Sequence, residues 1–238
     1  MSSKINLIDQ SRPFLAYLGE WYDHLPEMAL TEVVGTAPQQ VALFVVDMIN
    51  GFCKQGPLAG ERVGALIAPV VDLCTRSYAL GVRAFVLAQD THDPDTPEFA
   101  AYPPHCIAGT AESQAIDEIQ ALPFASELTT ITKNSLSVAI GTSLEEWMRD
   151  HTHIQTFMVI GDCTDLCVYS SAMYLRLHAN AHNLQRRVII PANTVDTFDT
   201  PVSTARDLGI KAHPGDLHHV MFLHHMALNG IEVVSKLS

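Results

Sequence analysis

The sequence predicts a doubly wound, mostly parallel open α/β sheet with helices on both faces, a Rossmann-like three-layer arrangement. Two observations carry this. Apolar runs of strand length recur with almost no polar alternation, as strands buried on both faces require. Segments with helical spacing lie between them, giving a β-α-β-α order whose right-handed crossovers build such a sheet.

The strands read, in order, VALFVVD at 41–47, VRAFVLAQD at 82–90, LTTITK at 128–133, TFMVIGD at 156–162 and RVIIPAN at 187–193. Between them, Val63, Leu66, Ile67, Val70 and Val71 recur at helical spacing, as do Ile116 with Ile119 and Leu144 with Met148. Val168, Ala172, Leu175 and Ala179 follow the fourth strand at i, i+4, i+7 and i+11, one face of a helix. A last helix is expected from Asp216 to Asn229, closed by the stop signal Asn229-Gly230 and followed by the strand IEVV. Residues 1–40 fit the alternation poorly and read as an extension packed on the domain or on a neighbouring subunit; 41–238 read as one domain.

Composition narrows the function. A formal charge of −12, from 14 basic against 26 acidic residues, argues against a nucleic-acid partner, which needs clustered Lys and Arg. A small-molecule substrate is expected instead. The start, MSSKINLIDQSRPF, lacks the apolar stretch of a secretory signal, and VALFVV is too short to span a bilayer, so no membrane partner and a cytoplasmic location are expected. Five cysteines (Cys53, Cys74, Cys106, Cys163 and Cys167) form an odd set in a chain too large to need disulfide staples, so reduced thiols are expected.

In open α/β sheets the ligand crevice lies beyond the carboxyl ends of the strands, so polar residues ending strands are the first candidates. Asp47, Asp90 and Lys133 end the first three, and the turn from Gly161 to Cys167 follows the fourth. Singly each has a plain structural reading; their coincidence carries the weight. Thr164 or Asp165 is expected to cap the next helix, which leaves Cys167 in its first turn, where free N–H groups and the helix dipole favour a thiolate. Cys167 is the nucleophile candidate. Its C-x-x-x-C partner Cys163 reads as a small residue in a tight turn whose backbone N–H matters more than its sulfur. Asp47 is placed to take the thiol proton and Lys133 to steady the charges; no His is tied by spacing to Cys167.

A second constellation is QDTHDPDTPEFAAYPPHC at 89–106. Asp90 and His92, two apart as the chain leaves a strand, can contact one ion, with Glu98 and His105 arriving from the Pro-rich loop. Such mixed ligands suit a divalent Zn, Fe or Mn ion. The alternative is a solvated acidic loop in which Asp93 and Asp95 cap turns before proline. His218, His219, His224 and His225 read as residues of the last helix without a role.

These residues resemble the cysteine hydrolases of the isochorismatase-like superfamily, and within it the nicotinamidase branch. VVDMINGFCKQGPL is similar to the family's first strand and loop, AQDTHDP with YPPHCIAGT to its metal segment, TKNSLSVAIGTSLEEW to its Lys segment and GDCTDLCVYSSA to its nucleophile turn. The resemblance implies Cys167 as nucleophile, Asp47 as general base and later acid, and Lys133 as electrostatic partner of both. It implies a cis peptide bond between Asp162 and Cys163 and an oxyanion hole from the N–H groups of Cys163 and Cys167. It also implies a metal, zinc foremost, on Asp90, His92, Glu98 and His105 that holds the pyridine nitrogen, and Phe52 packed on the substrate. The implied activity is hydrolysis of nicotinamide to nicotinate and ammonia through a thioester, as in NAD salvage, by a homo-oligomer. Two departures stand out: Thr91 where many nicotinamidases have Trp, and Glu98 where they often have His.

Two rivals within the superfamily are a metal-free cysteine amidohydrolase of N-carbamoyl or ureido compounds and an isochorismatase-type hydrolase; the latter needs no nucleophilic Cys. A nucleotide-binding module without catalysis is disfavoured because DMINGFCKQG lacks G-x-G-x-x-G.

Overall fold

A computed structural model describes residues 6–238; residues 1–5, the start of the segment read as an extension, lie outside the described residues. The chain runs through α1 (Leu7–Asp23), α2 (Leu30–Val34), β1 (Val41–Val46), α3 (Asn50–Cys53), α4 (Glu61–Gly64), α5 (Ile67–Ala79), β2 (Ala84–Asp90), α6 (Asp117–Gln120), β3 (Thr129–Lys133) and α7 (Leu144–Asp150). It continues with β4 (Thr156–Asp162), α8 (Cys167–Ala181), β5 (Arg187–Pro191), β6 (Val195–Asp196), α9 (Val202–Leu208), α10 (Gly215–Leu228) and β7 (Glu232–Val234). The sheet order is β3-β2-β1-β4-β5-β7, with β6 paired to β4, and every pairing is parallel. This is the predicted mostly parallel, open α/β fold.

The uninterrupted apolar strands have the expected cause. In β1, Leu43 and Val45 join one core layer with Val70 and Leu73 of α5, while Ala42, Phe44 and Val46 join the other with Leu175 of α8 and Leu223 of α10. Alternate side chains thus meet helices on opposite faces, so neither face leaves room for polar residues. Val168, Ala172, Leu175 and Ala179 of α8 are all buried, as their spacing predicts.

Two expectations need correction. β3 is not buried on both faces: it is the sheet's edge strand, and Thr129, Thr130 and Thr132 are exposed while Ile131 and Lys133 are buried. The helical stretch at 63–71 is broken into α4 and α5, and the one around Ile116 shrinks to a single turn. Of the segment read as an extension, the described residues 6–40 carry α1 and α2 and pack on the core. Leu30, Val33 and Val34 join the first core layer, and the Leu30 N–H donates to the Ser238 carbonyl at 2.8 Å. On α1, Phe14, Tyr17 and Trp21 surround the His224 ring of α10 with centroids 5.1–5.6 Å away. Among the described residues no helix is long and apolar enough to cross a membrane.

At the carboxyl edge of the sheet, register decides which side chains meet. Asp90 pairs with Lys133, and Val46 pairs with Gly161. Gly161 sits at φ +112°, and a Cβ there would fall 1.9 Å from the Val46 carbonyl oxygen. Only glycine lets β4 pass this close to β1 just before the nucleophile turn.

Candidate active site

Four adjacent strands deliver the predicted residues to one buried point. Asp47, immediately after β1, holds φ +52°, a conformation uncommon outside glycine. It is secured there by its N–H, which donates to the Ala88 carbonyl at 2.8 Å, and by its Oδ1, which accepts from the Asp90 N–H at 2.7 Å. These bonds aim the carboxylate across the strand ends. Lys133 reaches it from the edge strand. Its Nζ stands 2.8 Å from Asp47 Oδ2, 2.5 Å from Asp90 Oδ1 and 3.4 Å from Cys167 Sγ. One ammonium therefore touches both carboxylates and the sulfur.

The electrostatics follow from burial. Asp47 is pushed up to about 6 by burial and by the neighbouring Asp90, against the pull of Lys133. Burial alone would lower the Lys133 ammonium, yet Asp47, Cys167 and Asp90 hold it well above its ordinary value. For Cys167, burial raises the thiol well above its usual range although Lys133 draws it down. Burial thus opposes the thiolate that the helix terminus and Lys133 favour, so the sulfur needs a base such as Asp47 to take its proton.

The expected cap is corrected. Leu166 precedes α8 without a side-chain cap. Thr164 Oγ1 is instead 2.9 Å from His219 Nδ1, and Asp165 turns away to Thr197 and His213. With no side chain over the helix start, the Cys163 carbonyl takes the Val168 N–H at 3.1 Å, and the Cys167 N–H is left over. Among the described residues neither the Cys163 N–H nor the Cys167 N–H has an acceptor within the chain. The Asp162–Cys163 peptide bond is cis.

Beside this group, ligand atoms of Asp90, His92 and His105 lie within 4.8 Å of one another, all three residues buried. His105 Nδ1 is 2.8 Å from the Pro103 carbonyl, which makes Nδ1 the protonated nitrogen and leaves the Nε2 lone pair free. His92 Nδ1 faces Asn134 Oδ1 at 3.3 Å, and its Nε2 is buried without a hydrogen-bond partner. Glu98 stands outside that trio: it sits on a short turn, and its Oε1 is buried, unpartnered and 3.9 Å from His92 Nε2. Orphaned buried donors with oriented imidazoles fit a divalent ion. Asp93, read alternatively as a turn cap, accepts at Oδ2 from the Asn134 side chain and so braces the same segment.

Rings line the imidazoles. Phe52 lies 5.6 Å from the His105 ring, Phe99 is 5.5 Å from His92 and 5.6 Å from His105, and Tyr102 is 6.2 Å from His105. Phe99 and Tyr102 were not singled out in the sequence, nor was Asn134. Both aromatics occupy the Pro-rich loop between Glu98 and His105, and that position was their one visible signal.

A buried Cys, Asp and Lys set at the carboxyl edge of a parallel sheet, with a carboxylate and imidazole trio alongside, defines a class of hydrolase. A family model described as the isochorismatase domain matches residues 41–235, and the chain belongs to that family of isochorismatase-like hydrolases. It is 32% identical over 220 residues, covering 83% of this chain and 86% of the relative, to nicotinamidase 1 of Arabidopsis thaliana. Among solved structures it is similar to a nicotinamidase from Bacillus subtilis, at 25% identity and a TM-score of 0.63 over 82% of this chain and 99% of that one. It is also similar to N-carbamoylsarcosine amidase from Thermoplasma acidophilum, at 27% identity and a TM-score of 0.58 over 74% of this chain and 97% of that one.

Proposed function

We propose that the chain hydrolyses nicotinamide to nicotinate and ammonia through a thioester on Cys167. The observation that carries this reading is the single Lys133 ammonium in contact with both Asp47 and Cys167, next to the Asp90, His92 and His105 trio.

The chemistry follows from the placement of these groups. Asp47 takes the Cys167 proton as the sulfur attacks the carboxamide carbon, and Lys133 stabilises the thiolate as it forms. The carbonyl π pair moves to oxygen, where the N–H groups of Cys163 and Cys167 receive it. When the C–N bond breaks, Asp47 returns its proton to the leaving nitrogen, which departs as ammonia. Asp47 then removes a proton from water as the water oxygen attacks the thioester carbon. The C–S bond breaks, the sulfur recovers the proton from Asp47, and the acid leaves as nicotinate, its remaining proton passing to solvent.

Asp90, His92 and His105 would hold a divalent ion, zinc foremost, with Glu98 within reach of the same space. Such an ion supplies an electrophilic position for the pyridine nitrogen. Phe52, Phe99 and Tyr102 would form the apolar walls for a flat heteroaromatic ring, a role that many nicotinamidases give to Trp where this chain has Thr91. A homo-oligomer remains part of the proposal.

The likeness to N-carbamoylsarcosine amidase favours a second reading, an N-carbamoyl or ureido substrate handled by the same Asp47, Lys133 and Cys167. Ammonia release from nicotinamide decides between them, measured on the metal-loaded protein, on a chelator-treated sample and on Cys167→Ala. Fast release that depends on Cys167 and falls on metal removal supports the nicotinamidase reading. A folded, metal-loaded protein that leaves nicotinamide intact and hydrolyses an N-carbamoyl compound would establish the second.

A further inference from the structure

The turn between the two oxyanion donors is held from behind by residues that the proposed reaction does not use. Inside the turn the Cys163 carbonyl accepts from the Leu166 N–H at 3.0 Å and from the Val168 N–H at 3.1 Å. These bonds shape the turn without tying it to the rest of the fold. Two buried residues do that. Asp165 turns to Thr197 and His213, and Thr164 is anchored through both its main chain and its side chain. The Thr164 N–H donates to the Asp196 carbonyl at 2.9 Å, and Thr164 Oγ1 is 2.9 Å from Nδ1 of His219, a buried residue of α10.

The other ring nitrogen of His219 carries the connection further. Nε2 is 3.3 Å from the Tyr22 hydroxyl of α1, whose ring meets the imidazole edge-on with centroids 5.6 Å apart. A hydroxyl can donate or accept, so an imidazole with a hydroxyl at each nitrogen is satisfied in either neutral tautomer. The chain from Thr164 through His219 to Tyr22 therefore holds whichever nitrogen carries the proton. Close packing does not replace it: Tyr22 and His219 line a cavity of about 470 Å³ together with Arg62, Asp196 and Asp216. One side of the pair thus faces open space, and the hydrogen bonds set the place of the imidazole there.

Tyr22 is presented by a helix that lies outside residues 41–235, the stretch that matches the family domain. Leu18 of α1 is buried, and Trp21 and Tyr22 pack against the core layer that contains Cys167 and Val168. Tyr22 is 197 residues from His219, and His219 is 55 from Thr164. Three distant segments thus meet behind the residue that follows Cys163.

We infer that Thr164, His219 and Tyr22 are positioning residues for the oxyanion turn, and that α1 is in this way a working part of the active site. The inference rests on the reading of the Cys163 and Cys167 N–H groups as oxyanion donors. Such donors act because they are fixed in place before charge develops, and losing one outright costs about 10²–10³ in kcat. A loosened turn costs less than a missing donor. Its cost falls on kcat rather than KM, because the oxyanion exists in the transition state and not in the bound substrate.

The test compares Thr164→Val, Thr164→Ser and Tyr22→Phe with wild type, by steady-state kinetics on the amide that the wild type hydrolyses and by hydrogen exchange of the 163–168 amides. Urea midpoints establish that each protein is folded. Thr164→Val is expected to lower kcat roughly tenfold and Tyr22→Phe roughly threefold, both with KM nearly unchanged, while Thr164→Ser recovers most of the wild-type rate. Exchange at 163–168 should be faster in Thr164→Val and Tyr22→Phe but unchanged in β1, a pattern that a general loss of stability would not confine to the turn. Wild-type kcat in both variants, or wild-type exchange in both, would overturn the inference. A slowed Thr164→Val beside a wild-type Tyr22→Phe would overturn the part given to α1. The exchange measurement needs no substrate, so it decides the coupling even if the protein turns over no amide, or Cys167→Ala keeps full activity, and the proposed function fails. Should Thr164→Val not fold, Tyr22→Phe, which removes only a hydroxyl, decides alone.

Discussion

The Asp47 carboxylate and the Lys133 ammonium meet at 2.8 Å with both side chains fully closed to solvent. Such a pair gains little over apolar packing, because desolvation consumes most of its Coulomb attraction. Its value is chemical: it holds a base and a positive charge together beside a sulfur. Lys133→Met should therefore fail twice. It leaves Asp47 and Asp90 buried without their cation, which costs about 3–5 kcal/mol by the usual penalty for breaking a buried pair. It should also cut kcat at least about 10³-fold. Urea midpoints and steady-state kinetics on one preparation separate the two effects.

Cys167→Ala is expected to abolish turnover, falling at least about 10³-fold, while stability changes by less than about 2 kcal/mol. Mass spectrometry of the quenched wild-type reaction should show the acyl group on Cys167 and on none of Cys53, Cys74, Cys106 or Cys163. An adduct on Cys163 would reverse the assignment of sulfur and backbone between the two.

The acid limb of the pH profile should report Asp47. With its carboxyl raised to about 6 by burial and Asp90, kcat/KM should fall about tenfold per pH unit below that value. The same shift has a sign for stability. The folded state binds this proton more tightly than the unfolded chain, whose value is near 3.8. The contribution of Asp47 to stability is therefore fully present below about pH 4 and is lost as pH rises through about 6. Denaturation midpoints of wild type and Asp47→Asn across that window test it.

His92→Ala should lower metal content and raise KM for nicotinamide by at least about tenfold, since a metal contact is worth several kcal/mol. Phe99→Ala should raise KM without changing metal content. Isothermal titration with nicotinamide and elemental analysis distinguish the two.

Gly161→Ala should destabilise by more than about 3 kcal/mol, because its Cβ would overlap the Val46 carbonyl oxygen in a conformation that L side chains rarely adopt. Thermal unfolding measures it.

Where hydrophobic pattern and strand-end position governed the outcome, the sequence was readable. The strand runs and the burial of Val168, Ala172, Leu175 and Ala179 depended only on period, and Asp47, Asp90, Lys133 and Cys167 could be picked out because each ends a strand or opens a helix. β3 misled because Thr carries strand propensity on an exposed edge as well as in a core. The α8 cap misled because Asp165 has better partners in Thr197 and His213, residues that no local spacing ties to it. Phe99, Tyr102 and Asn134 acquire meaning only once the Pro-rich loop folds back over His92 and His105, a long-range arrangement invisible to windowed periodicity. α1 was missed for a related reason: its contacts are with α10, some two hundred residues away.

The placement of these groups on neighbouring strand ends also governs how the protein loses function. Asp47 lies 43 residues from Asp90, and Lys133 lies 34 residues from Cys167, so no local fragment holds even two of these partners together. A chain emerging from synthesis or unfolding under heat carries only scattered, ordinary thiols. Reactivity arrives in one step with strand order and departs in one step with it, which makes turnover a sensitive gauge of whether the whole sheet is intact.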